Sequence, residues 1–138
     1  MKKIEIDTFL KFRFLSNPHF SPDGTKIAFT VSVPDRETNG YLSDLYLYDL
    51  GKKTVSRVTC AGDAKIWSWT AENTLIFTAA RTAALKKEKE NGTSFFYEIS
   101  PSGGEASCRA SVPASVTGIR LLPDGRYLLT IRHDNYKD

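Results

Sequence analysis

A phrase of turn chemistry followed by a β-prone run occurs three times in this chain, and that recurrence limits the fold more than any other feature. The first copy is Phe20–Thr30, F-S-P-D-G-T-K-I-A-F-T. Pro22 presets φ at the first corner of a turn, and Gly24 accepts φ > 0 near its end. Ile27-Ala28-Phe29-Thr30-Val31 then has the length and side chains of a buried strand. The phrase returns as Leu121–Ile131, L-L-P-D-G-R-Y-L-L-T-I, with a worn copy between them at Trp69–Thr78, W-T-A-E-N-T-L-I-F-T. Phe20, Trp69 and Leu121 are the matching apolar positions. Their spacing of about fifty residues, in strands and turns, is the mark of propeller blades.

Four candidate strands fill the first period. Phe14–Asn17 or Pro18–Phe20 supplies the innermost and Ile27–Val33 the second. A polar loop is expected over Val33–Gly40, with its turn at Asn39-Gly40. The third strand is Asp44–Leu50, with Leu45 and Leu47 on one face and Tyr46 and Tyr48 on the other. Gly51-Lys52-Lys53 turns the chain into an outer strand over Thr54–Thr59, short and polar as edges are. In the second period Lys65–Trp69, Thr74–Ala79, Thr93–Ser100 and Glu105–Ala110 repeat the plan, with a turn at Pro101–Gly104. Arg81–Gly92 is an insertion whose Ala, Leu, Lys and Glu content favours helix and whose Asn91-Gly92 can stop one. A third period begins at Val116–Leu122 and Tyr127–Ile131.

Before the first period, Asp7–Leu15 is expected to form a short helix capped by Asp7, with Leu10 and Phe14 on one side. An extended segment with Phe12 and Phe14 alternating is the other reading. Ser16-Asn17-Pro18 is expected to end the helix, because the residue before proline is pushed out of the helical region. The predicted organisation is thus all-β: a leader over 1–17, helical or extended, blade 1 over 18–64, blade 2 over 65–115 with its insertion at 81–92, and the first half of blade 3 over 116–138. Propellers close with ~4–8 blades, each burying its faces against two neighbours. About two and a half four-stranded blades leave apolar faces to be covered. The expectation is a fragment of a longer protein, or a chain that assembles with its own copies.

Composition narrows function mainly by exclusion. The 138 residues are 41% hydrophobic and 25% charged, ordinary for a globular domain. The net charge of +3 does not in itself imply a nucleic-acid surface. Met1–Asp7 mixes acids with its apolar residues, so no signal peptide is read. No apolar run approaches the ~18 residues that span a bilayer. Cys60 and Cys108 lie far apart without C-x-x-C or histidine spacing, and are read as buried or incidental thiols. A cytoplasmic protein is expected, with neither membrane nor nucleic-acid partners.

The ordered combination F-L-S-N-P-H-F-S-P-D-G-T-K-I-A-F-T, S-D-L-Y-L-Y-D-L and R-V-T resembles the N-terminal propeller of prolyl oligopeptidase family serine peptidases. The acylaminoacyl-peptidase and dipeptidyl-aminopeptidase-like branch is the most similar, through the Leu85–Glu90 insertion, Phe95-Phe96-Tyr97 and Gly103-Gly104-Glu105-Ala106. The resemblance runs from about Asp7 to Ile131. It implies a propeller that caps a C-terminal α/β-hydrolase domain and restricts entry to short peptides. No G-x-S-x-G elbow occurs in these residues, so none of the family's catalytic positions transfers. Nor does its paired-glutamate helix, since Lys89 separates Glu88 from Glu90. The resulting reading is a non-catalytic propeller segment that filters substrate access and docks on a hydrolase domain. The alternatives are a TolB-like protein-binding propeller and a self-assembling propeller fragment.

No catalytic, cofactor or metal residue is nominated. His19 and His133 sit at turns or strand ends, and His133-Asp134 form no relay by adjacency alone. Asp23 and Asp124 are turn residues, with too few neighbouring oxygens for calcium. Trp67 and Trp69 share a face opposite Ser68, suited to packing between blades or, secondarily, to ligand stacking. Tyr46, Tyr48, Phe95, Phe96 and Tyr97 lack the basic groove of a nucleic-acid platform. Asn91-Gly92-Thr93 matches a glycosylation sequon that has no occasion without export.

Overall fold

The structure, a computed structural model, describes residues 6–133. The chain divides into two compact units that meet in sequence at Lys65 and Ile66. Each contains an antiparallel four-stranded sheet whose strands pair in chain order.

In the first unit a 3-10 helix, Ile6–Lys11, precedes β1 (Phe14–Phe20), β2 (Lys26–Asp35), β3 (Gly40–Asp49) and β4 (Thr54–Arg57). The leader is therefore helical and then extended. Leu10 and Phe14 do not share a helix face, because the helix ends at Lys11 and Phe14 opens β1. The Asp7 side chain lies outside what is described. Ser16-Asn17-Pro18 does not end a helix either. It forms a bulge inside β1, where the register with β2 shifts between Ser16 and His19 and Asn17 adopts φ 58°. A bulge accepts both an asparagine in the left-handed region and a proline without an N–H.

The loop expected over Val33–Gly40 is shorter than predicted. Val33, Pro34 and Asp35 pair with Leu42, Tyr41 and Gly40, leaving four residues to turn. Pro34 is tolerated because β1 reaches only to Ser32, so β2 has an open edge beyond it. Asp35 Oδ2 fastens the turn by accepting from the Thr38 amide and hydroxyl, at 3.1 and 2.7 Å. Residues paired across strands share a face. Ala28, Thr30, Leu45 and Leu47 make the buried face of this sheet, and Ile27, Phe29, Tyr46 and Tyr48 the other.

The second unit holds β5 (Trp67–Trp69), β6 (Leu75–Thr78), β7 (Ser94–Ser100) and β8 (Gly103–Val112), then a two-stranded sheet of β9 (Ser115–Leu121) and β10 (Tyr127–Arg132). Cross-strand rows build its core. Trp67 pairs with Phe77 and Phe77 with Tyr97; Trp69 pairs with Leu75 and Leu75 with Ile99. All six are buried, and β5 packs against β9. Burial of side chains this size contributes about 1.5–3 kcal/mol each, the main cohesion of the unit. The two tryptophans share a face opposite half-buried Ser68, as the alternation predicts.

The insertion forms α1 (Ala83–Glu90). The Thr82 hydroxyl accepts from the Leu85 amide at 3.2 Å, a side-chain N-cap. Asn91 caps the other end, and Gly92, at φ 94°, turns the chain away.

The three copies of the turn phrase fold alike. Gly24, Asn73 and Gly125 all have positive φ and donate backward, to Ser21, Thr70 and Leu122 oxygens. The same three partners donate their own amides forward, to Lys26, Thr74 and Arg126 oxygens. Asparagine serves where the middle copy lacks glycine because it tolerates the left-handed region.

Candidate functional site

The segments S-D-L-Y-L-Y-D-L and R-V-T meet in a polar knot. The Asp44 carboxylate, nearly buried on β3, accepts from Arg57 Nη2 at 2.7 Å, the Thr59 hydroxyl at 2.8 Å and the Gly62 amide at 3.0 Å. Thr59 Oγ1 in turn accepts from the Leu45 amide at 3.0 Å, and Arg57 Nε donates to the Thr59 carbonyl at 2.9 Å. The chain leaving β4 is thereby stapled back to β3. The Asp44 hydrogen bond holds the Arg57 pKa above its ordinary value, and the guanidinium lies 5.9 Å from the Tyr46 ring centre. Every acceptor here is engaged in holding backbone. The knot is an architectural device with no free nucleophile or base.

The surface beside the knot is different. On the face opposite Leu45 and Leu47, Leu15, Phe20 and Val55 are 68%, 64% and 60% exposed. They border half-buried Ile27, Phe29 and Tyr48. The Phe29 and Tyr46 rings stack at 6.1 Å on this face. A contiguous apolar sheet face rimmed by polar residues is the physical signature of a protein contact. In the second unit, Leu128 and Ile131 on β10 are also exposed, and β9 is the one strand paired with β10 among the described residues. An unpaired strand edge offers backbone donors and acceptors to another strand.

The structure disperses the residues that chemistry would need together. His19 hydrogen-bonds through Nε2 to Asn17 Oδ1 at 2.9 Å within the β1 bulge. His133 follows β10, and Asp134 lies outside the described residues. Asp23 accepts from the Ser21 hydroxyl, the Thr25 amide and the Thr25 hydroxyl, which lower its pKa to about 2. Asp124 is held low by its side-chain bond to Arg126, followed by that residue's amide. Both are turn fasteners. Glu88 and Glu90 are exposed on α1.

Phe95, Phe96 and Tyr97 are all buried, so they offer no stacking platform. Cys60 and Cys108 are both exposed, which corrects the buried alternative for these thiols. Cys60 sits in the irregular segment after β4, and Cys108 on β8, which is exposed over most of its length. Among the described residues no three His, Cys, Asp or Glu side chains gather closely enough to hold a metal.

Sequence reasoning read Arg57 only as a polar residue of the edge strand and did not join it to Asp44 or Thr59. An aspartate inside an apolar alternating strand, with arginine thirteen and threonine fifteen residues on, was the available signal. Arg81 was also passed over as part of a charged run. Its guanidinium covers the Phe77 and Tyr97 rings at 5.4 and 5.6 Å, a cation–π lid on the edge of the core.

The chain is a partial β-propeller: two four-stranded sheets and the start of a third. No family model matches it. It is 28% identical over 133 residues to a protein of Bacillus subtilis (strain 168) named as the uncharacterized peptidase YuxL, an alignment covering 94% of this chain. The chain spans 19% of that relative's length. Among solved structures it is similar to the β-propeller domain of the Trilobed protease from Pyrococcus furiosus, described as having an open velcro topology. That match has a TM-score of 0.60 and 15% identity, and covers 88% of this chain and 34% of the other. It is also similar to Pyrococcus horikoshii acylaminoacyl peptidase, with TM-score 0.65 and 18% identity, over 95% of this chain and 20% of that one. The resemblance read from the sequence is borne out by a peptidase relative and by these propeller likenesses. Among the described residues no helix is long and apolar enough to cross a membrane.

Proposed function

We propose that this chain is the N-terminal, non-catalytic propeller segment of a cytoplasmic serine peptidase that acts on short peptides. The observation that carries the reading is the alignment of nearly the whole chain with a small part of a much longer peptidase. In this reading residues 18–64 and 65–115 are successive blades, and 116–138 begins a third. The apolar face bearing Leu15, Phe20 and Val55 receives another blade of the same propeller. The serine nucleophile lies in a C-terminal α/β-hydrolase domain on which the propeller docks, and the propeller excludes long or folded substrates by size.

Filtering is tested by comparing the parent enzyme with a form whose propeller is removed while its hydrolase domain stays folded. The expected result is that kcat/KM for long peptides rises relative to short ones, because selection was steric. An unchanged ratio overturns the filtering role and leaves docking alone. The uncovered face also favours a second reading, a self-assembling propeller fragment. A stable monomer in solution at high concentration contradicts it.

A further inference from the structure

At one end of the first sheet, β1, β2 and β3 deliver side chains into a cleft of about 360 Å³ lined by Phe14, Ser32, Tyr41, Ser43 and Lys65. Register explains the convergence. Phe14 pairs with Ser32 and Ser32 with Ser43, so the three share a face. Tyr41, two residues before Ser43, joins them. The Phe14 and Tyr41 rings meet edge to face, 6.1 Å apart at 82°, and form an apolar wall.

Two donor groups complete the cleft. Ser43 is 4% exposed, with its Oγ 2.9 Å from Ser32 Oγ. Either hydroxyl can donate to the other, and the one that accepts keeps its own proton to donate. Lys65 is exposed and lines the cleft. Its backbone is held beside β3, because the Ala64 amide donates to the Ser43 carbonyl at 2.9 Å and Asp63 bridges to Ser43.

A lysine, a serine pair and an aromatic wall around an open cleft of small-ligand size suit one chemistry. We infer that this cleft binds a small carboxylate carrying a planar apolar body. The carboxylate sits between Lys65 and the serine pair, and the body lies on Phe14 and Tyr41. The inference rests on residues of the first unit and stands apart from the peptidase reading.

The test is ligand-observed saturation-transfer NMR on the chain with 3-phenylpropionate, using 3-phenylpropionamide as its uncharged counterpart. The expected result is saturable binding of the carboxylate, with the amide weaker by about tenfold. Lys65→Gln is expected to weaken the carboxylate by about fivefold, with Lys65→Arg restoring it. Tyr41→Ala weakens both ligands, and Lys87→Gln, exposed on α1 of the second unit, changes neither. Tyr41 and Lys65 are exposed, so these substitutions leave the fold in place. Equal binding of acid and amide, indifference to Lys65→Gln, or no saturation up to roughly 10 mM overturns the inference.

Discussion

Asp44 shows how one side chain decides whether a sheet holds its outer strand. Its side chain is 9% exposed and that of Arg57 is 51% exposed, so the two ends of the pair are not equivalent. Asp44→Ala strands the buried Thr59 hydroxyl and the Gly62 amide without their acceptor. It is expected to cost about 3 kcal/mol of stability in urea unfolding. Arg57→Ala removes a largely solvated partner and is expected to cost about 1 kcal/mol or less. Equal losses contradict the knot as described. Asp23 supplies a pH signature at the same scale. Hydrogen bonds from Ser21 and Thr25 lower its pKa from 3.8 to about 2, favouring the ionised form in the folded state. Its contribution is therefore fully present above pH 3.8 and is lost as the pH falls through about 2. Against Asp23→Asn, the difference in urea midpoint is expected to shrink across that interval and to be constant at higher pH.

Among the elements, α1 shows how far local chemistry reaches. Its composition and its stop were legible, because each depends on residues within a turn of one another; the Thr82 cap is equally local but was not read. Thr82→Ala removes the cap and is expected to weaken the helix by about 1 kcal/mol, read as roughly fivefold faster amide exchange at Leu85. The three turns were legible for the same reason: proline, glycine and, in the middle copy, asparagine act through their own backbone. What the sequence left hidden depended on distant neighbours. Phe20 and Trp69 occupy matching positions, yet they are 64% and 4% exposed. Trp69 belongs to a strand covered by β9, whereas Phe20 lies on the open face of the first sheet. The Asn17-Pro18 pair misled for a related reason. It reads locally as a helix stop, but pairing with β2 turns it into a bulge. Asp44 was hidden because its partners lie on and just after the next strand, 13 to 18 residues on, and no local rule links them.

For the whole molecule, the open face of the first sheet and the edge of β10 carry the functional account. The isolated chain is expected to self-associate as its concentration rises. Replacing Phe20 with Glu and Val55 with Lys should suppress that in analytical ultracentrifugation without lowering secondary-structure content. A chain that stays monodisperse and monomeric without these changes contradicts the docking role of the face. The central claim, that these residues belong to a serine peptidase, is tested most directly by fluorophosphonate labelling of the polypeptide as its native source makes it, followed by its intact mass. The account predicts a labelled protein several times heavier than the 15.4 kDa of this chain, with the modified serine outside these 138 residues. An unlabelled protein of 15.4 kDa would contradict it.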